Sequence, residues 1–334
     1  MVYPMDFIST IIITDVNSEC LKKSISSVIH VVDEIVIINT GSDKLCLNYE
    51  ALGADVNIYS FPWNNDFSAV RNFGIEKAKG GVCFMLDSDE YLTVDSQPEF
   101  RRTVLDFFCK DKDALCSPLI NNLNGYLLRN NPRLFRKKDG VQYKGYVHEY
   151  LYSVEGQIIH VPSLVIEHTG YCNVLVLEEK KDRNKKLLDR QLTEEPENIR
   201  WLFFLLRYLE VNDPLRYEVM SLFYSKSLPY DEDAEVYCLN VVCRNMIEKL
   251  DAGLYNEVFE KSSALTVHYP YRQIGIINAV AYYLMHKEHS EMYTLINDCF
   301  KNVEKMPSDD LITELMNPSA IAMIKNELSC LNNN

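Results

Sequence analysis

Two carboxylates, Asp87 and Asp89, follow directly on the apolar run Val82-Cys83-Phe84-Met85-Leu86. At the mouth of a buried strand an extended backbone would aim both to the same side, because alternate residues of a strand share a face. Hard oxygen ligands so placed suit Mg²⁺ or Mn²⁺, which keep coordination sites open for water and substrate phosphates. A cation held there would act as a Lewis acid on a departing phosphate. As a bare string D-x-D is common, and a solvated turn or a helix cap explains most instances. This one is set apart by the strand that leads into it and by a third acidic residue, Glu90.

Two more constellations bear on the same chemistry. In Asp66-Phe67-Ser68-Ala69-Val70-Arg71-Asn72 either Asp66 or Ser68 can cap a helix, with Arg71 one turn inside and within reach of a phosphate oxygen. Taken alone, the segment is an ordinary capped surface helix with Arg71 in water. Further on, His148-Glu149 sets a potential base beside a hydrogen-bond partner, the pairing that general-base catalysis needs. Lys138-Asp139-Gly140, just before it, is a hairpin signal. His168 follows another apolar strand and offers an imidazole for a metal shell or a pyrophosphate. Lone histidines are more often structural.

The elements that must position these residues come in two kinds. From Phe7 to about Ser60, short β-branched runs (Phe7–Ile13, Glu34–Ile38, Val56–Tyr59) alternate with a helical stretch in which Leu21, Ile25 and Val28 share a face. A further helix over Phe67–Ala78 precedes a fourth strand at Val82–Leu86. Strand, helix, strand order with strands buried on both faces predicts a largely parallel sheet. Ligands of such sheets bind beyond the carboxyl ends of the strands, where Asn39-Thr40-Gly41-Ser42-Asp43 and Asp87-Ser88-Asp89-Glu90 lie. After about Val174 the pattern is helical throughout: Leu175–Gln191, Asn198–Leu209, Ala234–Lys249, Leu254–Leu265 and Ile274–Met285. Trp201, Phe204, Leu205 and Tyr208 fall at the offsets of the W-x2-L-G-x2-Y helix of tetratricopeptide repeats, a partial match, since Phe204 and Leu205 replace Leu and Gly. A stacked helical solenoid is predicted, with a plain bundle as its alternative.

The bulk properties agree with this division. A chain of 334 residues exceeds the roughly 250–300 at which single cores stop growing. Two domains are expected, 1–173 and 174–334. Apolar residues at 47% and charged residues at 25% give an ordinary globular balance. Lys and Arg number 34 against 48 Asp and Glu, and the net charge of −14 excludes nucleic acid as a favoured partner. A single nucleotide diphosphate needs only a local cation or arginine. The ten cysteines are scattered without C-x-x-C spacing, there is no apolar run of about 18 residues, and no basic leader opens the chain. Core thiols, no transmembrane segment and a cytoplasmic location are therefore expected.

In this order the pieces resemble the family 2 glycosyltransferases of the GT-A fold. Val32-Asp33-Glu34-Ile35-Val36-Ile37-Ile38-Asn39-Thr40-Gly41-Ser42 is similar to V-D-E-I-V-V-V-D-T-G-S, the Asp66–Asn72 segment to D-F-S-x-A-R-N, and Phe84–Glu90 to F-L-D-A-D-E. Arg133-Leu134-Phe135-Arg136, Gly145–Glu149 and His168-Thr169-Gly170-Tyr171 continue the pattern. Within the family, the sublancin-type S-glycosyltransferases, which glycosylate a bacteriocin peptide, carry a segment similar to Glu195–Phe204. The resemblance covers roughly residues 7–210.

It implies a Rossmann-like, mostly parallel α/β sheet followed by an all-α helical-repeat domain, and an inverting transfer of a hexose from a UDP-sugar donor. Thr14, Asn39, Thr40, Arg71, Asp87, Ser88 and Tyr171 would bind the nucleotide sugar, with Asn39 and Thr40 at the base and Arg71 near the diphosphate. Asp87, Asp89 and His168 would hold Mn²⁺ or Mg²⁺. His148 and Glu149 would be catalytic, with Glu149 as the base. The acceptor would be a Ser, Thr or Cys side chain of a peptide or protein, with the helical tail holding that acceptor or the second chain of a homodimer. Three departures stand out: Ile13-Thr14-Asp15-Val16-Asn17 replaces a Lys-Asn-Glu-like turn, Asn39 replaces an Asp, and no Glu-Asp base motif is visible. Two rival readings follow, a transferase acting on a cell-envelope glycan and a helical-repeat binding scaffold with a degenerate transferase domain.

Overall fold

The structure, a computed structural model, describes residues 6–43, 45, 54–122, 127–154, 156–169, 174–307 and 316–331. Its contacts divide the chain into two compact units, Met1–Thr193 and Glu194–Asn334. The helix Val174–Glu194, which the sequence groups with the helical half, is thus counted almost wholly with the sheet.

The sheet unit begins with β1 (Ile8–Thr14), α1 (Glu19–Val28), β2 (Glu34–Asn39), β3 (Asp55–Ser60), α2 (Phe67–Lys77) and β4 (Val82–Asp87). These four strands pair in parallel in the order β3-β2-β1-β4. Their apolar runs are continuous because both faces are covered, and successive residues alternate between two cores. Ile8, Ile12, Ile35, Ile37, Phe84 and Leu86 pack with Leu21, Ile25 and Val28 of α1, the face predicted from spacing. Ile11, Val36, Ile38, Cys83 and Met85 pack on the other side with Val70 and Ile75 of α2. There α2 lies so close that a Cβ on Gly74 would come 2.5 Å from the Ile11 Cγ2 methyl. Burial raises the thiol pKa of Cys83 to about 12, as for an inert core thiol.

Further strands, most of them antiparallel to a neighbour, extend this parallel core; of these the sequence signals the apolar strand before His168 and the turn at Lys138-Asp139-Gly140, and not the rest. They follow as β5 (Glu90–Leu92), α3 (Gln97–Lys110), β6 (Leu115–Asn122), β7 (Leu127–Leu128), β8 (Leu134–Arg136), β9 (Gln142–Lys144), β10 (Tyr150–Tyr152), β11 (Ile158–His168) and α4 (Val174–Glu194). β8 runs antiparallel to β4 on one edge and to β6 on the other, β11 is parallel to β6, and β5 is antiparallel to β11. Lys138-Asp139-Gly140 does turn the chain, with Gly140 at φ +85°, but it joins strands of different sheets. Both edges of β8 are already occupied, so β9 pairs with β10 instead, and the hairpin loop is 145–149.

The second unit contains α5 (Ile199–Leu205), α6 (Pro214–Tyr224), α7 (Glu232–Asp251), α8 (Tyr255–His268), α9 (Arg272–His286), α10 (Tyr293–Glu304) and α11 (Pro318–Leu331). No strand occurs here among the described residues. α5 ends sooner than its periodicity implies, because the amides of Arg207 and Tyr208 donate to the carbonyls of Phe204 and Leu205 and tighten the last turn. Of the repeat-like quartet Trp201 and Leu205 are buried, and the Trp201 indole donates to Glu195 at 2.7 Å. No helix among the described residues is long and apolar enough to cross a membrane.

Candidate functional site

In the order β3-β2-β1-β4 the direction of strand succession reverses between β1 and β4, which opens a crevice beyond their carboxyl ends. Thr14 pairs with Asn39, and Ile13 with Asp87, so the last residues of β1, β2 and β4 form one rim. Along the β2 side the rim is a folded loop. Asn39 accepts from the Gly41 amide at 3.0 Å and donates to the Asp43 carbonyl at 2.8 Å, so both ends of its amide shape the turn. Thr40 donates through its hydroxyl and its amide to the Thr14 carbonyl, at 3.1 and 2.8 Å. Only a glycine fits at 41, since a Cβ there would meet the Asp15 carbonyl oxygen at 2.0 Å. The Thr14 hydroxyl donates to the Val16 carbonyl at 2.8 Å.

On the β4 side the two acidic residues part company. β4 ends at Asp87, and Ser88 and Asp89 form a turn into β5, so the extended spacing expected to aim both carboxylates one way is broken. Asp87 points at two arginines: Arg71 Nη2 lies 2.9 Å from Oδ1 and Arg133 Nη2 3.1 Å from Oδ2. Arg133 Nη2 also binds Glu90 Oε1 at 2.5 Å, and the Asp87 amide donates to Glu90 Oε2 at 3.2 Å. Burial alone would raise the Asp87 carboxyl, but the two guanidiniums more than reverse this and hold it well below the usual carboxylate range. Glu90 goes the other way, raised by burial and by the Asp87 charge against the pull of Arg133.

Arg71 is not in water. It is 7% exposed, and its Nε donates to Glu149 at 2.7 Å while Nη2 holds Asp87. The segment bends inward because Asp66, not Ser68, is the cap: Oδ1 accepts from the Ala69 amide at 3.0 Å and from the Ser68 hydroxyl at 2.7 Å. That registry turns Val70 and Arg71 toward the protein. Arg133 is placed by backbone, its amide donating to Cys116 and its carbonyl accepting from Met85, just before β8 pairs with β4.

Asp89 meets His168. β5 pairs with β11 so that Glu90 faces His168, and β11 pairs with β6 so that His168 faces Asn122. His168 Nε2 is 3.4 Å from Asp89 Oδ2, and Nδ1 is 2.7 Å from the Asn122 side-chain oxygen. An acceptor at Nδ1 puts the proton there and leaves the Nε2 lone pair facing a carboxylate. Two acceptors so placed call for a positive charge between them, either a proton or a metal ion. Burial lowers the His168 pKa, but Asp89 outweighs it and the net displacement is upward. Thr169 ties the turn down through two bonds to the Asp89 carbonyl, at 2.9 and 3.0 Å.

His148 and Glu149 lie in the β9–β10 loop, His148 at φ +53°, a left-handed conformation unusual for a residue with a side chain. Tyr171 lies outside the described residues. Arg133, Asn122 and Glu90 complete the cluster without having been assigned roles from sequence. Glu90 stands in the acidic cluster and Arg133 in the Arg133–Arg136 segment that the sequence singles out, but pairing across β4, β8, β6 and β11 is what brings Arg133 to Asp87 and Asn122 to His168, and no local motif signals Asn122. Among the described residues no three His, Cys, Asp or Glu side chains already converge on one metal position.

Residues 9–153 match the family model of Glycosyl transferase family 2. The chain is 28% identical over 275 residues to the SPbeta prophage-derived glycosyltransferase SunS of Bacillus subtilis strain 168, a match that takes in 78% of this chain and 64% of that protein. It thus spans just under two thirds of that relative's length. A TPR repeat-containing protein of Synechococcus elongatus is 27% identical over 195 residues, which is 54% of this chain and 47% of that one. Among solved structures, S. aureus TarS 1-349 in complex with UDP-GlcNAc aligns over 90% of both chains at 12% identity, with a TM-score of 0.40.

Proposed function

We propose that this chain, whose residues 9–153 are a family 2 glycosyltransferase domain, moves a hexose from a UDP-sugar to a Ser, Thr or Cys side chain of a peptide or protein with inversion at the anomeric carbon. One observation supports this above the others: Thr14, Asn39, Thr40 and Asp87 share the rim beside the strand-order reversal, and Asp89, on the turn that leaves it, meets His168 at the end of β11. The peptide acceptor is suggested by the resemblance of Glu195–Phe204 to the sublancin-type transferases, and the uridine nucleotide by the family.

Asp89 and His168 are the residues that fit a divalent ion. With Asn122 accepting at Nδ1, Nε2 faces Asp89 and would be the ligating nitrogen once the ion displaces its proton, and a mixed carboxylate and imidazole set favours Mn²⁺ over Mg²⁺. When bound, the ion would neutralise charge on the departing diphosphate. Asp87 takes part as a fixed negative charge behind this pair, oriented by Arg71 and Arg133, while Ser88 presents the turn between the two acids. The 39–43 loop and Thr14 give the nucleotide a preformed wall. On this reading Glu149 would take the proton of the attacking nucleophile, with His148 beside it.

Calorimetry with UDP, with and without Mn²⁺, tests the donor half: metal-dependent binding, lost in Asp89→Ala, is expected. Intact-mass spectrometry with UDP-sugars and a panel of peptides and saccharides tests the acceptor half, with added hexose on peptide expected and transfer only to saccharides pointing to an envelope glycan. The scaffold reading draws on the two arginines that occupy Asp87. It would be favoured by an absence of metal-dependent UDP binding.

A further inference from the structure

In the Asp66–Asn72 segment Asp66 caps the helix and Arg71 Nη2 holds Asp87, and Phe67, Arg71 and Asn72 also bond to one object, the β9–β10 hairpin. The Phe67 amide donates to the Tyr146 carbonyl at 3.1 Å. Arg71 Nε donates to Glu149 at 2.7 Å. The Asn72 side chain donates to the Tyr143 carbonyl at 2.9 Å and accepts from the Tyr143 amide at 2.8 Å, the two-bond pattern a neighbouring strand would use. Phe67 and Arg71 stand four apart and so share a face of α2. Val70 turns away into the core.

The hairpin needs outside support. It is two strands of three residues, and an isolated two-stranded hairpin is marginal at best in water. Its loop holds two residues at positive φ, Gly145 at +102° and His148 at +53°. On its other side the Tyr146 amide donates to Gln191 of α4 at 3.0 Å, and the Arg190 guanidinium lies 3.8 Å above the Tyr146 ring. Arg71 does more than tether. One guanidinium carries both Glu149 and Asp87, so two carboxylates that would otherwise repel are held at a fixed spacing. A lysine, with a point charge and no fork, does not set that angle.

We infer that Arg71 and Asn72 are positioning residues: the first two turns of α2 clamp the β9–β10 hairpin and so fix Glu149 relative to Asp87. The role of Glu149 in turnover rests on the transferase reading, whereas the clamp itself does not. On this account Arg71 reaches the reaction through Glu149 and not through a donor phosphate.

The experiment uses the full chain with Arg71→Lys, Asn72→Ala and the milder Asn72→Asp, which keeps the acceptor for the Tyr143 amide and loses the donor. Hydrogen exchange without ligand should quicken about tenfold or more over residues 142–152 in Arg71→Lys and Asn72→Ala, less in Asn72→Asp, and stay unchanged in β1, β2 and β4. UDP affinity with Mn²⁺ should remain within about twofold of wild type, while kcat for UDP release from UDP-glucose falls about 100-fold, the cost of a misplacement near 1 Å. Arg71→Lys added to Glu149→Gln should cost nothing further. Unchanged exchange in the hairpin, a tenfold or greater loss of UDP affinity in Arg71→Lys, or additive losses in the double variant would each overturn the proposal. If the wild type neither binds UDP nor releases it, the transferase reading fails, and the exchange measurement still decides whether the clamp exists.

Discussion

Two carboxylates sit at opposite ends of the parallel part of the sheet, Glu34 buried and Asp87 partly exposed, and they are treated differently. Glu34, at the start of β2, is fully buried and accepts from the Ser9 hydroxyl at 2.7 Å, the Lys79 amide at 2.9 Å and the Asn57 amide group at 3.2 Å, with Lys79 Nζ at 3.3 Å. The Ser9 hydroxyl in turn accepts from the Gly80 amide at 2.9 Å. This end is a closed network that joins β1, β2 and the turn before β4. Asp87, at the other end, is held by two arginines, yet Arg71 Nη1, Arg133 Nε and the Tyr143 hydroxyl are buried with no hydrogen-bond partner among the described residues. Native proteins leave few such groups, and where they gather, something other than stability has shaped the site.

If that contrast is right, substitutions at the two ends should fail in different ways. The largest effect is expected for Asp89→Ala, which removes the partner of His168: UDP release should fall about 100- to 1000-fold, the range for loss of one preorganised electrostatic group, with the melting temperature nearly unchanged. Retained turnover would break the comparison at its functional end. Glu34→Ala should do the reverse. It leaves the Ser9 hydroxyl and the Lys79 amide without an acceptor, and denaturant unfolding should show a loss of about 2–4 kcal/mol while kcat at a permissive temperature stays within about twofold. A stability loss below about 1 kcal/mol would show that the network is dispensable.

The same contrast explains what could be read from the sequence. The parallel strands were legible because runs such as Ile35–Ile38 are apolar at every position, a pattern that only burial on both faces produces. The α1 face was legible from Leu21, Ile25 and Val28. The environment of Arg71 was not, since a capped helix with one arginine looks the same whether the guanidinium meets water or a carboxylate 78 residues away. Nor was the divergence of Asp87 and Asp89, which depends on β4 ending at Asp87, two residues short of Asp89. Asn122 was invisible, and Arg133 was legible only as part of a motif and not by its partners, for a further reason: β6, β8 and β11 come together out of chain order, and their pairing brings the side chains to the rim.

The pH dependence sharpens the comparison by a smaller margin, with opposite signs for two groups at the functional end. Asp87 has a folded pKa below its ordinary 3.8, so its contribution is present above that value and is lost only as pH falls through the lowered one. Wild type and Asp87→Asn should therefore converge in stability only in strong acid. His168 has a folded pKa above 6.5, so its contribution is complete below 6.5 and is lost as pH rises through the raised value. Metal-free protein should lose under about 1 kcal/mol across that window, and Asp89→Asn should abolish the trend. Mn²⁺ should tighten as pH rises through it, because the ion needs the neutral imidazole. Thermal melts across pH with and without Mn²⁺ check both signs, and stability flat across both windows would mean that neither pairing survives in solution.

The smallest expected effect is the most discriminating. Tyr143 belongs to the hairpin, its ring packs in the same core as Phe135 and Leu151, and the Arg71 guanidinium lies 5.2 Å from the ring centroid. Its phenol is pushed up to about 12, chiefly by burial, so it stays a neutral hydroxyl throughout the working range. Because that hydroxyl has no partner among the described residues, Tyr143→Phe removes a desolvated polar group and keeps the packing, and it should be neutral or stabilising by up to about 1 kcal/mol. A stabilised variant with reduced turnover would show that the hydroxyl is kept for a ligand, which is what the comparison of the two sheet ends requires of a group left unpaired. A destabilised variant would mean that the hydroxyl has a partner in solution, and Tyr143 would then belong with Ser9 and Glu34 among the groups that simply hold the sheet together.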